Sequence, residues 1–456
     1  MGLEQPPPKR ASYTLHIASV AGHDREGRDP FPVARLRLVR LLDEALNLID
    51  HEPRFGQFTL DGGAIGIEDY LTLRPEHFER VERAVRTRRL LLGPWYVQPS
   101  AIHPDVEISI RNLLLGLRTC RVFGRPLMTG YLPGIPAQRL PGFLPGVLKG
   151  FGIETAILAA DDGAPLEGEL LGDDGTRLPF GSVIDGAGGG IARGAYAHSI
   201  SGHALVACPW FSSPSRQARL AFLRAVPDLK GAPQDDAFHS SPEGYAAALR
   251  KLPLVGDGLH CLQLDESPAS PDPADPLAAM ARRLCAVVEP LAVLGEHAAP
   301  LDDEWHLRRP VAAIRAMWQL LLECLGGDAA ETAARLRRIE AMAAALCAPL
   351  HGLHGGDPAS APESCFAQVI RVSAPGFRIL AARLPEDAGR GGFIVRGVNA
   401  TAAPLSVTLT PWRRFGAAGV MTLDETPTGG TMGLDADGAM RFQAAPHRLL
   451  TFWFHD

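Results

Sequence analysis

The 456-residue sequence predicts a multidomain α/β + α + β protein: an N-terminal parallel β/α domain, a three-helix bundle and a small C-terminal β-sandwich-like domain. Three observations predict it. Short apolar runs alternate with amphipathic helical stretches from Tyr13 to about Gly256. Three helical patterns follow, at 277–298, 302–325 and 328–351. From 353 onward, short apolar runs are separated by Gly, Pro and Asn. The length is also too great for one compact core.

Residues 1–12 read as a Pro-rich, disordered tail. "YTLHIASV" reads as a buried strand, and "PVARLRLVRLLDEALNLIDHE" repeats apolar residues every three or four positions, as a helix does. "RFGQFTLDG" (strand), "RPEHFERVERAVRTRR" (helix) and "LLLGPWYVQP" (strand) follow. "DVEISIRNLLLGLRTCRVFG" (helix) then leads into "LMTGYLP" (strand), and "ETAILAA" and "HALVACPWF" are further buried strands. Such β-α units imply a parallel sheet covered by helices, either open or closed into a barrel. "ESPASPDPADP" is a linker. Asp328 is placed to cap the third bundle helix. "GGFIVRGVNA", "PLSVTLTPW", "AGVMTLDE", "AMRFQA" and "HRLLTFWFH" are the C-terminal strands. The predicted domains are 13–266, 267–352 and 353–456.

Composition excludes several classes of function. A formal charge of −6 offers no basic face to nucleic acid. No apolar run reaches the length of a membrane span, and no secretory leader is visible. Seven cysteines, Cys120, Cys208, Cys261, Cys285, Cys324, Cys347 and Cys365, form no C-x-x-C pair. Buried thiols in a reducing cytoplasm are the expectation.

The candidate chemistry is sparse. "GHDREG" places His23, Asp24 and Glu26 just after the first strand, where imidazole and carboxylate groups suit a metal. A solvated charged loop would read the same way. Asp61 ends "FTLD" and is also ordinary turn chemistry before glycine. Trp95, Tyr96, Tyr131, Trp210 and Phe211 fall near strand ends, where rings stack on sugars or fill a core. "DGAGGGIARGA" lacks the order of a phosphate-binding loop. His198 and His203 have no metal-binding helix spacing, and Ser199 and Ser201 lie in no nucleophile elbow.

Taken in order, several segments resemble the family 38 glycoside hydrolases, the α-mannosidases. They are "FTLDGGAIGIEDYLTLRPEHFERVERAVRTRRLLLGPWYV", "IRNLLLGLRTCRVFG" and "GYLPGIPAQRLPGFLPGVLKGFGIETAIL". The resemblance covers most of 13–256, is looser over 267–352, and rests on texture and order over 353–456, where the β part is short for the family. It implies a barrel-like N-terminal domain. It also implies one zinc held by two histidines and two aspartates, one aspartate doubling as nucleophile of a retaining mechanism.

The ligand positions do not match that implication. Gly22 stands at the first histidine and Asp24 at the first aspartate, with His23 between them. Gly134 stands at the nucleophile, and Phe211, beside Trp210, at the last histidine. Where the family usually reads Pro-Asp-Glu, this chain has Pro99, Ser100 and Ala101. The acid/base position has no match in 160–200. No cofactor is therefore expected, zinc entering only if the site is retained. The leading expectation is a carbohydrate-binding or regulatory pseudoenzyme taking mannoside-like ligands, as a homo-oligomer or partner subunit. One alternative is a divergent glycosidase with Asp24, Glu26 and Asp61 as acid and base. Another is a protein-interaction scaffold whose terminal "HRLLTFWFHD" pairs with another chain, against the plainer reading of a final core strand.

Overall fold

The computed structural model describes residues 14–20, 30–51, 57–60, 63–160, 165–185, 203–209, 242–251, 260–264, 274–296, 310–353, 369–387 and 389–456. The predicted tail lies outside them. They form two compact units. The first comprises Met1–Ile102, Leu115–Gly172 and Thr176–Asp265; the second comprises His103–Leu114, Asp173–Gly175 and Glu266–Asp456.

The first unit holds a nine-stranded sheet among the described residues. Its strands are β1 (Thr14–Val20), β2 (Phe58–Thr59), β3 (Leu90–Leu91), β4 (Gly130–Pro136) and β5 (Ala156–Ala159). They continue with β6 (Glu167–Leu171), β7 (Arg177–Asp185), β8 (His203–Pro209) and β9 (His260–Gln263). The path runs β3-β2-β1-β8-β7-β5-β4, and every pairing along it is parallel. The strand β6 turns back antiparallel on β7 and pairs with β9. Beside the ends of the path, Leu127 N donates to Leu92 O at 2.8 Å and Trp95 Nε1 to Tyr131 O at 3.1 Å.

Local chemistry explains where the elements depart from expectation. The helix α1 (Phe31–His51) buries Ala34, Leu38, Leu42, Ala45 and Ile49, the stripe its periodicity predicts. The strands β2 and β3 are only two residues long, where longer runs are predicted. Gly93 takes φ 87° and Pro94 has no N–H, so the β3 ladder stops there. The hairpin β6–β7 is absent from the sequence reading, because its strands carry Glu167, Gly168, Glu169 and Pro179, poor strand formers. Gly175, at φ 75°, makes its turn.

In the second unit, Pro276–Arg283 leads through a π-helical turn, Leu284–Val288, into Glu289–Glu296. The helices Pro310–Glu323 and Ala329–Leu353 follow. Asp328 caps the last of these, accepting from Ala330 N at 2.7 Å and Glu331 N at 2.9 Å. The helix Val106–Phe123 starts in this unit behind Asp105, whose Oδ1 accepts from Glu107 N at 2.9 Å. His103 ties two caps together. Its Nδ1 accepts from Asp105 N at 3.0 Å, leaving Nε2–H to donate to Asp275 Oδ2 at 2.8 Å.

Two antiparallel sheets complete the second unit. Ile370–Val372, Leu405–Pro411 and Met440–Ala444 form one. Phe377–Arg383, Phe393–Asn399, Leu449–His455, Ala417–Met421 and Pro427–Met432 form the other, in that order. Phe442 of the first sheet meets Phe377 and Phe452 of the second, with ring centroids 5.5 and 4.7 Å away. Leu449–His455 is paired on both edges. It is an interior strand with no free edge for another chain, which corrects the pairing option raised for "HRLLTFWFHD".

A charge network lies buried in the same unit. The Arg111 guanidinium gives Nε to Glu107 Oε1 at 2.7 Å and Nη2 to Glu289 Oε2 at 2.9 Å, and it lies over the Trp318 ring at 4.7 Å. Trp318 Nε1 donates to Glu289 Oε1 at 2.9 Å, and Arg396 Nη1 to Glu107 Oε1 at 2.6 Å. Burial opposes ionisation of Glu107, yet the Arg396 and Arg111 charges outweigh it and hold the carboxyl below its usual range. Removing one partner strands the others, so Glu289→Gln is expected to cost about 3–5 kcal/mol in urea unfolding. A loss under about 1 kcal/mol would contradict the pairing described.

Candidate functional site

Parallel strands deliver their following loops to one edge of the sheet, the usual place for a site in an α/β fold. The loops after β1 and β2, with Gly22, His23, Asp24, Glu26 and Asp61, lie outside the described residues, as do Trp210 and Phe211 after β8. The stretches after β3 and β4 are described.

After β4 the register with β5 runs Gly130↔Ala156, Tyr131↔Ile157 and Leu132↔Leu158, then jumps to Pro136↔Ala159. Pro133, Gly134 and Ile135 therefore bulge from the ladder. Gly134 is exposed, and a Cβ built on it meets nothing within 4 Å. Neither crowding nor a left-handed φ demands glycine here. The base of the bulge is clamped: Trp95 Nε1 and Gln98 Nε2 both donate to the Tyr131 carbonyl, each at 3.1 Å.

The described aromatic candidates lie in the core, the plainer of their two readings. Trp95, Tyr96 and Tyr131 are 0, 2 and 0 % exposed, so none offers a ring face for stacking in this structure. Tyr131 packs with Leu91, Leu127, Ile157 and Leu205 in the core. Tyr96 donates its hydroxyl to Glu68 Oε2 at 2.7 Å. The reason is close packing of the helix Val106–Phe123 on this segment: a Cβ on Gly116 would collide with the Pro94 carbonyl and the Trp95 backbone. The glycine of "RNLLLGL" thus lets helix and strand end approach, which seals the rings inside.

A polar cluster under the helix Pro242–Leu249 escaped sequence reasoning. His16 Nε2 lies 2.8 Å from His203 Nδ1, with the rings stacked at 5.1 Å. Tyr245 sits 5.8 Å from the His16 ring and donates its hydroxyl to buried Glu167 Oε1 at 3.2 Å. Gly181 leaves room for that hydroxyl. The available signal was one histidine inside an otherwise apolar strand, "YTLHIASV". Burial first, and then the His203 charge, lower His16 to about 4.

Among the described residues, no three His, Cys, Asp or Glu side chains are grouped to hold a metal. Of the four positions implied for zinc, only Gly134 is described, and glycine supplies no side-chain donor. That position does not fit the metal. Cys120, Cys285, Cys324 and Cys347 are buried thiols. No helix among the described residues is long and apolar enough to cross a membrane.

Two outcomes follow from this geometry. Gly116→Ala is expected to cost about 3 kcal/mol, because backbone rather than a flexible side chain must give way. Gly134→Ala should be neutral or stabilising by up to about 1 kcal/mol. Equal losses in urea midpoints would refute the contrast. The second outcome concerns acid. His16 binds its proton more weakly folded than unfolded, so its contribution is complete above pH 6.5 and is lost as pH falls from there toward 4. Wild type should lose up to about 3 kcal/mol across that window through this group. His16→Phe should flatten the slope, and an unchanged slope would count against the assignment.

No protein-family model matches the chain. It is 37% identical over 145 residues to a Halalkalibacterium halodurans protein assigned as a mannosylglycerate hydrolase, covering 32% of this chain and 16% of that one. It superposes on an α-mannosidase from Enterococcus faecalis V583 with a TM-score of 0.60 at 17% identity. That alignment spans 98% of this chain and 55% of the other. A second Enterococcus faecalis structure, of a family 38 glycosyl hydrolase, gives a TM-score of 0.55 at 16% identity over 98% and 52% of the two chains. The chain thus spans about half the length of these structures and a smaller share of the sequence relative. In part of its sequence and in its mixed α/β, multidomain fold, the chain resembles the family 38 glycoside hydrolases.

Proposed function

We propose that this chain is a carbohydrate-binding or regulatory protein on a family 38 scaffold, and that it does not perform zinc-dependent retaining hydrolysis. One observation carries the reading. Gly134 sits in an exposed bulge with room for a side chain and has none, at the position where the resemblance implies a carboxylate. Without that carboxylate the chain lacks both a ligand and the group that would form a glycosyl-enzyme bond. A scaffold retained after its chemistry has changed is a common outcome. The relative's name makes mannosylglycerate the first ligand to try, with simple α-mannosides next.

A divergent glycosidase is the second reading, favoured by one feature of the sheet. β1 and β2 are parallel neighbours, with Val20 opposite Thr59, and in the sequence Asp24 and Glu26 follow the first of them and Asp61 the second. Two carboxylates from adjacent ends suit acid and base work in an inverting hydrolysis.

Calorimetric titration with mannosylglycerate and methyl α-mannoside, run beside hydrolysis assays on aryl mannosides, separates the readings. Heat of binding without turnover is expected. Turnover abolished by Asp24→Asn would replace the first reading with the second. Neither heat nor turnover would remove both.

A further inference from the structure

The histidine pair under the helix Pro242–Leu249 takes no part in the proposed function. His16 is 3 % exposed and His203 half-buried, and Nε2 of the first lies 2.8 Å from Nδ1 of the second. At that distance the two nitrogens share one hydrogen, one ring donating and the other accepting. An added proton fits on the outer nitrogen of whichever ring donates. On His16 that nitrogen, Nδ1, is buried with no protein acceptor, so His203 is the better donor and the better place for the charge. A second proton would point two N–H groups at each other, and it cannot enter without parting the rings.

The described surroundings give a second charge no relief. Tyr245, from the helix, has its ring 5.8 Å from that of His16, but its hydroxyl is committed to Glu167 of β6. Glu243 of the same helix accepts from Arg88 Nε at 3.2 Å. On the other side of β1, β2 pairs only at Ser19 and Val20 and brings no titratable group. Burial and the His203 charge are accordingly the two causes that hold His16 down.

Hydrating two charged rings requires an opening, and the cover is the weaker wall. Behind the pair, β1 and β8 share a seven-residue parallel ladder. Over it lies a helix of eight residues, too short to keep its form without packing, which buries Pro242, Tyr245, Ala246 and Leu249. We propose that His16 and His203 form an acid-opened clasp: the pair takes one proton with the helix Pro242–Leu249 closed over it, and a second only when that helix lifts away.

Hydrogen exchange of the full chain at pH 7.5 and pH 5, corrected for intrinsic rates, is the test. His16 titrates at about 4 closed and near 6.5 once open, so opening should become about 25-fold more frequent at the lower pH. Protection of the amides at 246–250 should fall by that factor, while those at 15–18 in β1 keep theirs. Equal losses in helix and strand would mean unfolding of the whole unit and would overturn the clasp, as would a helix whose protection is the same at both pH values. His16→Phe should remove the pH dependence of the helix, and its persistence would contradict the proposal. Should that variant not fold, Tyr245→Phe serves instead. Losing the Glu167 bond should loosen the helix at both pH values and leave the 25-fold ratio unchanged, and a ratio near one would contradict the assignment to the histidines.

Discussion

The second unit depends on one guanidinium. Arg111 is 1% exposed and sits between Glu107 and Glu289 on the face of Trp318, so a helix start, the helix after the π turn and the helix carrying Trp318 share one charge. Such a pair is expensive to desolvate and more expensive to break. It therefore fixes which side chains can meet, even though its net contribution to stability is small. Glu107 extends the constraint to Arg396, and thereby to the strand Phe393–Asn399. The arginine and the later glycine of "IRNLLLGL" are thus structural: Arg111 anchors the ionic core, and Gly116 admits the Pro94–Trp95 backbone.

That distinction bears on the proposal that this scaffold has outlived its chemistry. Arg111 and Gly116 hold the fold, because losing them would strand a charge or drive backbone into backbone. Gly134 is under no such restraint. It lies in a bulge held from below by Trp95 and Gln98, so its side chain can be absent without moving the strand. Trp95, Tyr96 and Tyr131 belong with the first group, as core.

Much of the fold was legible because it follows from period and punctuation. The stripe of α1, the cap at Asp328 and the strand Thr14–Val20 all obey local rules. The β6–β7 hairpin was not legible, since Pro179 and two glutamates contradict strand propensity and only the neighbouring strands override it. Burial of Trp95 was equally hidden. It depends on a helix glycine some twenty positions away in sequence, and no local pattern encodes that approach. Of the candidate site, the lack of a side chain at Gly134 was plain in the sequence. The His16–His203 pairing was not, because residues 187 apart meet only through strand order.

The central claim is that a retained scaffold has lost its metal-dependent chemistry. Zinc content of the purified full-length chain, measured by inductively coupled plasma mass spectrometry after growth with added zinc, tests it most directly. The account predicts well under one zinc per chain. One tightly held zinc per chain, surviving dialysis against a chelator, would contradict it.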